Sequence, residues 1–211
     1  MKIPNVMTAS EAVKLIKSGD RVLIQGGSAT PQTLVKAMVE RGPELKGVEI
    51  VHLHTEGECG YSAPELRDSF HTKAFFIGGN LRKMVGDTVD YIPIFLSDIP
   101  SLFRDGYMDL DVVLVNVSPP DKHGFCSLGV SVDIVIAGIE KGKKVIAQIN
   151  PKMPRTFGDA LVHLNHFSAC VLVDEDIHEM KFVAPSEEEQ AIGKNIAEII
   201  DDGSTLQMGI G

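Results

Sequence analysis

The sequence predicts an α/β protein built on an open, mostly parallel sheet with helices on both faces. Three observations predict it. Short runs such as RVLIQ (21–25) and LDVVLVNV (110–117) are apolar at nearly every position, as strands buried on both faces must be. Segments with helical periodicity separate these runs, which is the alternation a parallel sheet needs for its crossovers. Turns rich in glycine or proline follow the strands, as in GGSATP (26–31) and SPPDKHG (118–124).

The elements follow in order. Thr8-Ala9-Ser10-Glu11 fits a capping box, and Ala12, Val13, Leu15 and Ile16 form an apolar stripe closed by Gly19, so a helix comes first. Strand 21–25 leads into Gly26-Gly27, and Thr30-Pro31 is an N-cap followed by proline at the first helical position. VEIVHL (48–53) and AFFIG (74–78) read as strands, SLFRD (101–105) as helix, and 110–117 as a buried strand. Val130 to Lys141 reads as helix, KVIAQIN (144–150) and ACVLVDE (169–175) as strands, and Ser186 to Ile200 as a helix opened by Ser186 and Glu189. In the 118–133 connection, Pro119 and Pro120 end the strand, Asp121 starts a turn and Gly124 permits a left-handed bend.

Composition bounds the function. The 211 residues carry 44% hydrophobic and 23% charged side chains, an ordinary globular balance with enough chain for one α/β domain. A net charge of −9 argues against nucleic acid as a partner, since backbone binding needs clustered Lys and Arg. The start lacks the apolar stretch of a signal peptide, and no window approaches the ~20 apolar residues of a membrane span. Three irregularly spaced cysteines fit reduced thiols, and the expected location is the cytoplasm without membrane attachment.

Several constellations invite chemistry. HLHTEGEC (52–59) offers His52, His54, Glu56, Glu58 and Cys59, but no third ligand of defined geometry, and no metal is expected. Thr55-Glu56-Gly57 instead sits at a strand's carboxyl end, where open α/β sheets bind ligands. GGSATP precedes a helix and fits an anion cradle or equally a structural turn. Cys126 with His123 lacks an orienting acid, and Arg155 and Arg82 are by default ion-pair residues. One internal echo stands out: IKSGDRVLIQGG (16–27) lies on IDDGSTLQMGIG (200–211) without a gap. Either the common helix–turn–strand–glycine connection simply recurs, or the architecture is duplicated and a second domain opens near residue 201.

DYIPIFLSDIPSLF (90–103), VLVNVSPPDKHGFCSLGVSVD (113–133), VIAQINPKMPRTFGD (145–159) and LQMGIG (206–211) together resemble the acetyl-CoA hydrolase/transferase family, nearest its 4-hydroxybutyrate and butyryl-CoA:acetate CoA-transferases. The resemblance implies the first of two similar α/β domains, residues 1–200, with 201–211 opening the second. It implies CoA transfer between an acyl-CoA and a small carboxylic acid such as acetate, through a glutamyl-CoA thioester. Coenzyme A is then a substrate, and no tightly bound cofactor is expected. The nucleophilic glutamate of the family lies in a segment beyond Gly211, so no catalytic residue is expected within the chain. The implied substrate-binding residues are Gln25, Gly27, Ser28, Thr55, Glu56, Asn80, Pro119 and His123, and the implied CoA contacts are Gly209, Gly211 and Lys122. A homo-oligomer is the expected assembly. The rival readings are an acyl-CoA hydrolase and a non-catalytic nucleotide-binding module.

Overall fold

The computed structural model describes residues 3–179, 183–207 and 209. They fall into two compact units, 1–178 and 179–211.

In the first unit the buried strands assemble a parallel sheet in the order β4-β3-β2-β1-β5-β7-β9, seven strands among the described residues. These are β1 (Arg21–Ile24), β2 (Val48–His52), β3 (Phe70–Ala74), β4 (Val89–Tyr91), β5 (Val112–Val117), β7 (Lys144–Ile149) and β9 (Ala169–Leu172). The chain runs outward from β1 to β4, then returns to the other side of β1 as β5. Strand order therefore reverses between β1 and β5, the point at which such sheets open a crevice beyond their carboxyl ends.

Both faces are covered, as strands without polar alternation demand. On one face Leu23, Val113, Val115 and Val117 pack with α3 (Ile99–Arg104) and α4 (Val135–Lys141). On the other, Val22, Ile24, Val112 and Leu114 pack with α2 (Gln32–Glu40) and α1 (Ala9–Ala12). The Thr8–Glu11 capping box forms as expected, and a 3-10 turn over Val13–Leu15 continues α1. No helix among the described residues is long and apolar enough to cross a membrane.

Several elements depart from the sequence reading, each for a physical reason. β3 is FHTKA, not AFFIG: Phe70, Thr72 and Ala74 point inward, while His71 meets Asp90 at 2.8 Å and Lys73 meets Glu49. The apolar run AFFIG begins as this strand ends, although Phe75 and Phe76 still donate to His52 and Leu53 carbonyls. α4 starts at Val135 and not at Val130: Asp133 sits at φ 21°, outside the helical region, and the Leu128 and Ser131 carbonyls accept from the Gln25 side chain. α2 starts at Gln32 with Pro31 before it. Its cap comes from another strand, as Leu34 N–H donates to Gln148 Oε1 at 3.4 Å. A two-stranded antiparallel ribbon, β6 (Phe125–Ser127) with β8 (Leu161–His163), and the short strand β4 carried no signal strong enough to find. Each is only three residues long.

The second unit contains α5 (Glu187–Ala197), opened by the expected Ser186–Glu189 capping box. Residues 204–207 form no strand among the described residues, since a strand exists only by pairing.

Candidate active site

The carboxyl ends of β1, β2 and β5 converge on one crevice. β1 and β2 approach so closely beyond their strands that Gly26 has no room for a side chain: a Cβ there would lie 2.5 Å from the His54 carbonyl oxygen. The next residue, Gly27, donates its N–H to that same carbonyl at 2.9 Å. The two loops are thus locked edge to edge, with Gly27 bridged to Thr55.

Beyond this lock, Ser28, Thr30, Gln32, Glu56, Asn116 and Glu175 line a cavity of about 180 Å3, with 176–178 along its rim. Thr30 Oγ1 donates to Gly27 O and accepts from Glu56 N–H, which fixes the loop after β1 against the loop after β2. Gln32 Nε2 donates to Glu56 O at 2.6 Å. Glu175 sits at the N-terminus of α2, where the helix dipole favours a carboxylate. Thr33 Oγ1 donates to it at 2.6 Å and Gln148 Nε2 also donates to it. Glu56 reaches His178 at 3.5 Å at the rim.

The expected site residues separate into groups. Ser28 and Glu56 line the cavity. Thr55 is buried behind it, its hydroxyl hydrogen-bonded to Tyr61 at 2.9 Å, and Asn80 Nδ2 donates to Thr55 O at 2.9 Å. Gly27 belongs to the loop lock. Gln25 lies under the loops, fully buried, its Oε1 accepting from Asn116 N–H and its Nε2 donating to the Leu128 and Ser131 carbonyls. Pro119, Lys122 and His123 are exposed on the turn between β5 and β6 and do not line the cavity. Gly209 lies in the second unit, and Gly211 falls outside the described residues.

The reactive side chains are not in reactive states. Burial pushes the Cys126 thiol up to about 12, so it is no nucleophile at neutral pH. His52 is fully buried beside Tyr61 with neither ring nitrogen hydrogen-bonded, and burial lowers it to about 4. Arg155 pairs with Asp121 at 2.8 Å and donates to Phe125 O, closing the 121–125 turn. Among the described residues no group of three or more His, Cys, Asp or Glu side chains is arranged to hold a metal.

Sequence reasoning missed Gln32, Asn116, Gln148 and Glu175. A signal existed for two of them: an amide inside the apolar runs LVNV and IAQIN must find a partner when buried, and so marks the end of the strand facing a ligand or a cap.

An open parallel sheet covered on both faces, with a polar cavity at its strand-reversal point, places the chain in the α/β class. More narrowly, the chain belongs to the acetyl-CoA hydrolase/transferase N-terminal domain family, whose model matches residues 3–207. It is 43% identical over 205 residues to the succinyl-CoA:acetate/propanoyl-CoA:succinate CoA transferase of Fasciola hepatica, over 95% of this chain and 42% of that protein. It is 38% identical to the 4-hydroxybutyrate coenzyme A transferase of Clostridium kluyveri, over 98% of this chain and 48% of that protein. A solved structure of a 4-hydroxybutyrate CoA-transferase from Porphyromonas gingivalis matches with a TM-score of 0.80 at 34% identity, over 98% of this chain and 48% of that one. The chain spans about half the length of the curated relatives it matches.

Proposed function

We propose that the polypeptide containing this chain transfers coenzyme A between an acyl-CoA, 4-hydroxybutyryl- or butyryl-like, and a small carboxylate such as acetate. The observation that carries this reading is the polar cavity where the loops after β1 and β2 lock together, in a domain whose relatives over nearly all its length are named CoA transferases.

The chemistry is covalent catalysis on a glutamate supplied by a second, similar domain opening near residue 201. Its carboxylate oxygen attacks the thioester carbon, the C–S bond breaks, and CoA leaves as thiolate, giving an acyl-glutamyl anhydride. The thiolate then attacks the glutamyl carbonyl, releasing the acyl group as a free carboxylate and forming a glutamyl-CoA thioester. The incoming carboxylate reverses both steps and regenerates the glutamate. One difficult exchange becomes several easier ones.

This chain supplies the wall for the acyl end. Ser28, Thr55, Glu56 and Asn80 are held by the loop lock, with Gln25 and Gly27 beneath them. Pro119 and His123 are further substrate contacts, and Lys122, Gly209 and Gly211 are contacts for CoA. The enzyme is a cytoplasmic homo-oligomer that acts without a tightly bound cofactor.

The family's description also names hydrolases, and one experiment separates the two. The full polypeptide is incubated with butyryl-CoA, with and without acetate. CoA transfer that requires acetate, with acetyl-CoA as product, supports the transferase; CoA release at the same rate without acetate overturns it in favour of hydrolysis.

A further inference from the structure

Asn116 stands out among the cavity residues. It lies in β5 with 2% of its surface exposed, and its backbone N–H is satisfied by Gln25 Oε1. Its side chain is not satisfied. Oδ1 is shielded with no partner, whereas Nδ2, which makes no hydrogen bond among the described residues, is not shielded and is the end of the amide open to the cavity. Next to it on the cavity wall, Gln32 spends its Nε2 on Glu56 O and leaves Oε1 buried without a partner. An amide N–H left unpaired at a cavity wall is a donor that a ligand can complete.

The cavity's charge restricts that ligand. Glu56, Glu175 and Asp176 all contribute to its wall. Glu175 already accepts from Thr33 and Gln148, Asp176 pairs with Lys152 at 2.8 Å, and Glu56 faces His178. A ligand carboxylate brings negative charge and acceptors alone to a wall that already holds three carboxylates. A methyl terminus leaves the Asn116 amide N–H unpaired. A hydroxyl accepts from that N–H and donates to a carboxylate oxygen of the wall, and so matches both needs. At about 180 Å3 the cavity is somewhat larger than an apolar cavity of about 150 Å3 that takes up benzene, enough for a four-carbon chain with a terminal hydroxyl.

We propose that Asn116 is a specificity-determining residue of this cavity: it binds the terminal hydroxyl of an ω-hydroxyacyl group and selects it over an unsubstituted acyl chain or a terminal carboxylate. The proposal rests on the reading that the cavity receives the acyl end of a CoA ester.

The test compares kcat/KM for 4-hydroxybutanoyl-CoA, butanoyl-CoA and succinyl-CoA, each with acetate, in the full polypeptide and in its Asn116→Leu and Asn116→Ala variants. The wild type is expected to favour the hydroxyacyl ester about tenfold over either competitor, the worth of one well-made hydrogen bond. Both variants are expected to bring the hydroxybutanoyl-to-butanoyl ratio within about twofold of unity. The ratio is taken within one preparation, so a reduced folded fraction leaves it unchanged. A wild type without preference, or a ratio that survives both substitutions, overturns the proposal while leaving CoA transfer intact. If no thioester is turned over, the transferase reading falls, and saturation-transfer NMR with free 4-hydroxybutanoate and butanoate decides the cavity's assignment. Binding of the hydroxy acid that weakens in Asn116→Leu supports it; binding equal to that of butanoate, or unchanged in the variant, overturns it.

Discussion

Two regions of this chain are rich in special residues, and they use them in opposite ways. The 118–127 turn has prolines, glycine, an aspartate, a histidine and a cysteine, and several of its polar groups are paired within the turn or with Arg155 and His163. Asp121 accepts from the N–H groups of His123 and Phe125 and pairs with Arg155, Ser118 Oγ accepts from Ser127 N–H, and His163 Nε2 lies 3.1 Å from His123 O. The crevice between β1, β2 and β5 looks plainer in sequence, yet it buries Gln32 and Asn116 with unpaired acceptors. A density of unusual residues marks a difficult turn. Unmet hydrogen-bonding capacity in a buried position marks a place kept for a ligand.

The comparison can be broken hardest at Gln25, which belongs to the crevice by position and to the paired class by its bonds. Gln25→Leu leaves Asn116 N–H and the Leu128 and Ser131 carbonyls without their partner. At 1–3 kcal/mol for each buried unsatisfied group, partly relieved by relaxation, the expected loss is about 4 kcal/mol. Chemical denaturation measures it, and a loss below about 1 kcal/mol would mean that these bonds are replaced by water. Gly26→Ala is the next largest. Its Cβ must push the His54 backbone away, which opens the β1–β2 lock and costs about 2 kcal/mol. An unchanged Tm would show that the two loops are not held edge to edge.

The sequence made the sheet legible and left the crevice half hidden, for physical reasons. β1, β5 and β7 announce themselves because burial on both faces removes polar alternation, and the caps of α1 and α5 are local codes read within four residues. β3 was misplaced because one side of it meets Asp90 and Glu49, so its most apolar stretch is not its paired stretch. The helical periodicity of 130–134 does not become helix because Asp133 takes a positive φ and the carbonyls before it accept from Gln25, about a hundred residues away in the chain. The places of Ser28 and Glu56 just after strands put them on the cavity wall. Asn116 was overlooked inside a run that otherwise predicts only strand. No local pattern encodes that its amide would meet α2 and the 175–178 segment around one cavity.

Asn116→Leu sharpens the comparison with an effect of opposite sign. If its amide is held unpaired for a ligand, an apolar side chain of similar size removes a desolvated polar group and stabilises the ligand-free protein by about 1 kcal/mol. A thermal melt without ligand is expected to shift upward, and a clear destabilisation would show that the amide has a structural partner after all.

The smallest effect belongs to the turn, and it depends on pH. Backbone N–H groups of Phe125 and His123, together with the Arg155 guanidinium, hold the Asp121 carboxyl below the usual aspartate range. A carboxylate depressed in the folded state adds stability that is fully present above its unfolded pKa of about 4 and is lost as pH falls through the lower folded value. Asp121→Asn keeps an acceptor for the two N–H groups and removes the charge. The variant is therefore expected to be slightly less stable than wild type at pH 7, with the gap closing as the buffer is taken well below pH 4. Acyl-chain preference in the full polypeptide should not change, because the turn does not line the cavity. A stability gap that stays constant down to acid pH would show that the charge on Asp121 does not hold the turn. A shift in acyl preference would erase the distinction between a turn that completes itself and a crevice that waits for a ligand.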